Sequence, residues 1–403
     1  TLSADGGELS VKGRFNPREQ SYDAAIRADS FPLNSFLPAD SLGIVDLALQ
    51  ARGTGFDPLL PRTRTSLRAQ IDRAEFGGRD FGGIELDAEL DSQRLSGRIS
   101  DRDEALRLLL SVSGTLTERE QRIGLSGSVF GFDLAALGVS PEPIGGSFAL
   151  DASASAAGKG AYAARIALDS IEIRNKHRTD RIRPTSVSLH TDSAATRAEA
   201  ASGDLSLTFS TPQSADSLIA ALTRSARTLA GQIDAQSIDM EQLKPALPDF
   251  ALRVSAGPDN ILNSLLKSRK IAFDALNAEG ANCDSLPVSI RLRTEGLAYG
   301  NVVLDTVTAD IRQNGKRLEY ALGLANAPGN LDNIARAGLY GHLVRNTGQA
   351  NLYQRNRAGR EGFRFGLDVT WTDSLVRASV TPPDPLFGFE PWTVNRGKSA
   401  PSG

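Results

Sequence analysis

Residues 84–116 read IELDAELDSQRLSGRISDRDEALRLLLSVSGTL. Ile84, Leu86, Ala88 and Leu90 alternate with acidic residues, and Leu106, Leu108, Leu110 and Val112 repeat the two-residue period. That period belongs to a strand with one buried and one wet face, because successive side chains leave a strand on opposite sides. The same alternation extends outward. Upstream it runs through Leu9/Val11/Phe15, Tyr22/Ala24/Ile26, Val45/Leu47/Leu49 and Leu67/Ala69/Ile71. Downstream it returns at Ile123/Leu125/Val129, Phe148/Leu150, Tyr162/Ala164/Ile166/Leu168, Leu205/Leu207/Phe209 and Val288/Ile290/Leu292. Leu318/Tyr320/Leu322, Phe363/Phe365/Leu367/Val369 and Leu375/Arg377/Ser379 close the series.

Gly6-Gly7, Gly77-Gly78, Gly82-Gly83, Gly145-Gly146, Asn314-Gly315 and Gly359 punctuate these runs and suit the positive φ of tight turns. The spacing predicts a meander of roughly 20 to 25 antiparallel strands, since a parallel arrangement needs a crossover of about a dozen residues between strands. One block departs from it. Leu218, Leu222 and Leu229 recur at helical spacing after Ser214 and Asp216, Met240 to Leu243 reads as a helical turn stopped by Pro245, and Ile261, Leu262, Leu265 and Leu266 form a stripe after Pro258. The predicted organisation is sheet over 1–213, a helical insertion over 214–270 and sheet over 271–403.

The chain has 403 residues with 45 Lys+Arg against 48 Asp+Glu, a formal charge of −3, which supplies no large positive field for nucleic acid. One Cys and three His cannot build a disulfide framework or a Cys/His zinc cluster within the chain. Met240 is the single methionine and the sequence opens with Thr1, the expectation being a processed or excised chain. No run of about 18 apolar residues occurs, so any membrane anchor is expected outside these boundaries.

Aromatic residues make up only 6% of the chain, and the alternating positions are mostly Leu, Ile, Val and Ala. Two dozen strands at about 4.8 Å each extend on the order of 100 Å, too far for one compact barrel. Folding lengthwise yields a U-shaped trough lined by aliphatic side chains along which an acyl chain can lie. A closed interior, as in a β-helix or stacked sandwiches, is equally compatible with the alternation alone.

Four stretches carry a family resemblance: FLPADSLGIVDLALQARGTGFDP (36–58), AEFGGRDFGGIELDAELDSQRLSGRISDRDEALRLLLSVSGTL (74–116), GNVVLDTVTADIRQNGKRLEYALGLANAPGNLD (300–332) and GREGFRFGLDVTWTDSLVRASVTPPDPLFGFEPWTVN (359–395). They resemble the AsmA/TamB superfamily, specifically TamB-like proteins of the Bacteroidota. The resemblance implies a periplasmic β-groove (a β-taco) anchored to the inner membrane by a segment absent from this chain. It further implies phospholipid transfer towards the outer membrane and a barrel-shaped outer-membrane partner met through regions also absent. The positions expected to line a lipid groove are Leu106, Leu108, Leu110, Val112, Ile123, Leu125, Val129, Ile166, Leu168, Leu205, Leu207 and Phe209. An assembly factor for outer-membrane proteins and a closed structural or adhesive protein remain as rivals.

Nothing in the sequence forms a catalytic constellation, and neither cofactor nor metal is expected. His177, His190 and His342 are scattered; Cys283 has no activating motif; no Gly-x-Ser-x-Gly, P-loop or dinucleotide fingerprint occurs. Asp101, Asp103 and Glu104 among Arg98, Arg102 and Arg107 read as a solvated turn, and the basic stretch from Arg174 to Arg183 reads as an exposed hairpin. Asp followed by Ser or Thr and an apolar residue, at Asp40, Asp169, Asp192, Asp216, Asp284, Asp305 and Asp373, looks like an O-glycosylation acceptor and equally like a turn before a strand.

Overall fold

The computed structural model describes residues 1–393 except 5, 36–41, 78, 159, 177, 268, 284, 327–334, 373, 374 and 382. His177, Asp40, Asp284 and Asp373 therefore lie outside the described residues, as do parts of all four stretches that carry the resemblance. The chain divides into two units, Thr1–His190 and Thr191–Gly403. Both are built from antiparallel strands, the all-β architecture with helical excursions that the alternation predicts.

In the first unit ten strands follow one another: Gly7–Asn16, Ser21–Pro32, Leu42–Thr54, Arg64–Phe76, Ile84–Asp91, Arg94–Arg102, Leu106–Leu116, Glu120–Asp133, Gly145–Ala157 and Ala161–Arg174. Each pairs with the next in sequence. Short turns make this the cheapest pairing, because neighbours in sequence close the smallest loops. The turn between Asp91 and Arg94 is made without glycine: Ser92 and Gln93 adopt φ of 49° and 68°, the twist that matches the flanking strands.

The second unit repeats the plan through Thr196–Ser202, Leu205–Thr211, Phe250–Ala256, Ala275–Cys283, Leu286–Tyr299, Val302–Asn314, Arg317–Asn326, Arg336–Val344, Thr347–Arg355, Glu361–Thr372 and Leu375–Val380. Again each pairs with its successor. The expected Asn-Gly turn is present, with Gly315 at φ 58°.

The stretch 214–270 is not one helical block. It holds α1 (Ala215–Asp234), α2 (Met240–Ala246) and α3 (Ile261–Lys267), but Phe250–Ala256 between them is a strand of the sheet. Phe250, Leu252 and Val254 carry the two-residue period, so the segment pairs with Leu205–Thr211 on one side and Ala275–Cys283 on the other. The helices are excursions between paired strands. Ser214 caps α1 by accepting the Ser217 N–H at 3.3 Å, as its residue type suggests. α2 runs one residue past Pro245 rather than stopping there.

α1 also buries an unexpected face. Ala221, Ser225 and Gln232 point inward while Leu222 and Leu229 are exposed. The small inward residues allow close approach to α2, where the Ser225 hydroxyl lies 2.6 Å from the Ala246 carbonyl. The Gln232 amide donates to the Asp239 carbonyl at 3.0 Å and accepts the Asp239 N–H at 3.1 Å. The strand Leu375–Val380 is present with the opposite phase to that read from sequence. Ala378 and Val380 align with Val369 and Leu367, which leaves Leu375, Arg377 and Ser379 on the other face.

Candidate functional site

The register of each meander stacks its apolar residues into rows that run across the strands. In the first unit Val11, Ile26, Leu49, Ala69, Leu86, Ile99, Leu110, Gly127, Leu150 and Leu168 are successive cross-strand partners. The adjacent row is Gly13, Ala24, Ala51, Leu67, Ala88, Gly97, Val112, Leu125, Ala152 and Ile166. Neither row contains a polar side chain over ten strands, about 43 Å at the usual strand spacing. The opposite face carries the charges, including the ion pairs Arg52–Asp23 and Arg68–Asp87 at 2.8 and 2.9 Å.

The second unit builds its own rows. Ala200, Leu207, Val254, Ala278, Leu292, Ala309, Leu322, Leu339, Leu352 and Phe365 are consecutive partners. Beside them runs a row that includes Phe209, Leu252, Ile290, Ile311, Tyr320 and Leu367. Arg253–Glu279 and Arg291–Asp310 pair on the other face.

These rows are sheltered but not filled. Along Ile84–Asp91 the apolar residues are half-buried and the acidic ones exposed, residue by residue, so the apolar side is the more sheltered one. Only small clusters reach full burial, such as Ala28, Phe31 and Val45 in the first unit and Met240, Leu243 and Val288 in the second. The accessible surface is 25346 Å². A compact monomer of this mass exposes about 15,000 Å² and two separate compact halves together about 18,000 Å², so the excess does not depend on how the units are arranged.

The twelve residues expected to line a groove divide between the units. Leu110 and Leu168 stand in the first row, Val112, Leu125 and Ile166 in the second, and Leu108 faces Val129 in a third. Ile123 faces Gly114 in a fourth, and Leu106 lies beyond the bulge at 129–131, opposite Phe132. Leu205, Leu207 and Phe209 belong to the second unit, where Leu207 and Phe209 stand in the two rows just described and Leu205 faces Ser202. Leu110 and Val129 are buried, whereas Ile123 and Ile166 are 44% and 47% exposed and the rest are half-buried.

Two features of this face escaped the sequence. Phe15, Tyr22 and Phe56 cluster at one end of the strands, with ring centroids 5.7 and 5.3 Å apart, beside a cleft of about 670 Å³ that Arg14, Arg52 and Arg64 also line. The Tyr22 hydroxyl reaches across Gly53 to the Thr65 hydroxyl at 2.7 Å. The second feature is a correction. Asp101 is not part of a solvated turn: it is 6% exposed and sits in the third row between Ile84 and Leu108. Burial pushes its carboxyl above the ordinary range, while the Asp103 N–H donated to it at 2.8 Å works in the other direction. Its Arg-rich neighbourhood in sequence masks the fact that strand alternation turns Asp101 inward.

The remaining candidates stand apart from one another. His190 and His342 each lie within a strand, and no group of three or more His, Cys, Asp or Glu that could hold a metal occurs among the described residues. Cys283 ends a strand, and the Ser285 hydroxyl 3.4 Å away draws its thiol below the usual value. In the basic stretch Arg178 pairs with Asp180 and Arg181 with Glu172, so the hairpin neutralises part of its own charge. Of the Asp-Ser/Thr sites, Asp192 precedes a turn, Asp216 opens α1, and Asp169 and Asp305 lie at irregularities within strands. Ser170, which follows Asp169, has φ 51° and is exposed. Among the described residues no helix is long and apolar enough to cross a membrane.

Comparison with protein-family models, with curated proteins and with solved structures finds no match to this chain.

Proposed function

We propose that this chain is a TamB-like envelope segment that conducts phospholipid acyl chains along its apolar face, in the periplasm between the inner and outer membranes. The observation that carries this reading is the pair of unbroken apolar rows in the first unit, most of whose side chains stay half-buried and do not reach full burial. A hydrocarbon tail lying there leaves water and gains about 0.8 kcal/mol per methylene. Headgroups stay wet at the open margin. Many near-equivalent contacts favour sliding, because no single position holds the tail much more strongly than the next.

This function needs no covalent step, so no acid, base or nucleophile is required of the chain. The resemblance of residues 36–58, 74–116, 300–332 and 359–395 to TamB-like proteins supports the envelope location and the phospholipid cargo. The same resemblance implies an inner-membrane anchor and contact with a barrel-shaped outer-membrane partner. The purified protein is expected to carry phospholipid, detected by organic extraction and mass spectrometry. Photocrosslinkers at Leu108 and Leu207 are expected to label lipid. Lipid-free protein after native purification, or crosslinks only to polypeptide, would overturn the reading in favour of an assembly factor or a structural protein.

A further inference from the structure

The hairpin of Arg94–Arg102 and Leu106–Leu116 meets its turn on a pair of like charges: Arg102 and Arg107 stand directly opposite each other across the ladder. Such a pair opposes the strand pairing it belongs to. Elsewhere the ladders set arginine against a carboxylate, as in Arg52–Asp23, Arg68–Asp87 and Arg253–Glu279. Where Arg336 stands opposite Arg355, Glu361 lies 3.2 Å from Arg355 and offsets the repulsion. Arg102 and Arg107 have no such relief, since neither side chain makes an ion pair or a hydrogen bond among the described residues. The nearby carboxylates are committed elsewhere. Asp87 is held by Arg68 at 2.9 Å, Asp103 accepts the Ala105 N–H at 2.7 Å, and Asp101 belongs to the opposite, apolar face. Glu85 accepts the Ser100 hydroxyl at 3.3 Å, and Glu104, exposed in the turn, pairs with neither guanidinium.

Both arginines line a cleft of about 510 Å³ in the first unit, together with Arg98, Leu109 and Phe130. Gly131 is the partner of Arg107 across the next ladder. A Cβ on it would lie 3.1 Å from Arg107 Nη2 and 3.4 Å from Nε, so the guanidinium lies over bare glycine backbone. Phe130 and Leu109 are 57% and 41% exposed. They put apolar surface on the face that otherwise carries the charges. Phe130 falls at the register shift between Val129 and Gly131, and an extra residue in a strand re-aims a side chain in this way.

Two guanidinium groups on neighbouring strands, with no carboxylate of the protein between them, match a tetrahedral oxyanion. Each planar fork donates paired hydrogen bonds to it, and its negative charge turns their mutual repulsion into attraction. From these observations we infer that Arg102 and Arg107 bind a phosphate group at the turn margin of the first unit, with Phe130 and Leu109 against the organic part that the phosphate carries. A phospholipid headgroup and a soluble phosphate ester are the two sources of that chemistry. The inference is independent of lipid conduction, since the cleft lies on the face opposite the apolar rows.

The test uses the whole chain in phosphate-free buffer. Inorganic phosphate is titrated by calorimetry, and vesicles of phosphatidylcholine, alone or mixed equally with phosphatidic acid, are read by co-sedimentation. Phosphate is expected to bind saturably and to raise the melting temperature. The double variant Arg102→Gln/Arg107→Gln should weaken binding roughly tenfold or more through the lost charge-assisted hydrogen bonds. Arg165→Gln, at an exposed arginine outside the cleft, should leave it unchanged. Without phosphate the double variant should melt at or above the wild-type temperature, because a repulsion has been removed. Binding to phosphatidic acid vesicles that is lost in the double variant and weakened by Phe130→Ala assigns the site to a lipid headgroup. Binding of inorganic phosphate with indifference to the vesicles assigns it to a soluble phosphate. No saturable binding of either probe, binding that survives the double variant, or a double variant that melts lower without phosphate would each overturn the inference. Absence of co-purifying phospholipid would overturn lipid conduction alone and leave this site standing.

Discussion

A belt of charge across one strand is expected to stop lipid movement while leaving the fold intact. In Ala161–Arg174 the positions on the apolar side include Ala164, Ile166 and Leu168, partners of Ala154, Ala152 and Leu150. Ala164 and Ile166 are exposed and Leu168 is half-buried, so glutamate at all three positions creates no deeply buried charge. This strand closes both rows, so a tail sliding to their end must lie across it. At a spacing of about 4.8 Å it then lays roughly four methylenes against a wetted surface, a barrier of about 3 kcal/mol at ~0.8 kcal/mol each. Transfer of a fluorescent phospholipid between donor and acceptor vesicles should therefore slow by roughly two-hundredfold, each 1.36 kcal/mol being a factor of ten. Glutamate at Ser126 and Ser153, on the opposite face, should leave the rate unchanged. A triple variant that keeps its circular dichroism and thermal midpoint yet transfers lipid at the wild-type rate would refute conduction along these rows.

Three further outcomes follow from particular residues. Gly127 has φ +152°, and a Cβ there would lie 2.1 Å from the Leu109 carbonyl oxygen. Gly127→Ala should cost about 2 kcal/mol or more and lower the melting temperature by several degrees, while Gly13→Ala, whose Cβ meets nothing closer than 3.5 Å, should be nearly neutral. Because burial raises the folded carboxyl of Asp101 above its unfolded value, the folded state binds the proton more tightly. Stability should therefore fall as pH rises from the ordinary carboxylate range through that raised value. Asp101→Asn, which retains an acceptor for the Asp103 N–H, should flatten this part of the curve of melting temperature against pH. Gln232→Ala removes both hydrogen bonds to the Asp239 backbone and should destabilise the α1–α2 junction by about 1–3 kcal/mol, read as faster amide exchange across Met240–Ala246.

Much of the fold was legible because alternation is a local property: IELDAELD reads as a strand wherever it is placed, and short turns dictate that each strand pairs with the next. Reading failed where a second pattern competed. Phe250, Leu252 and Val254 were absorbed into a helical neighbourhood although they alternate, and Leu375 drew attention to the wrong face of its strand because Val376 is equally apolar. Asp101 looked solvated beside Arg98, Arg102 and Arg107, yet its side chain follows the strand's alternation and not the local charge.

The amino-acid order by itself determined that this protein is a meander of strands with one aliphatic and one charged face, since side-chain direction in a strand is set by position parity alone. Only the tertiary structure decided that the aliphatic faces stay largely half-buried instead of being packed away, and that their residues align into continuous rows. Those properties depend on register and on what packs against each face. Each is a relation between residues far apart in the chain, which parity alone does not encode.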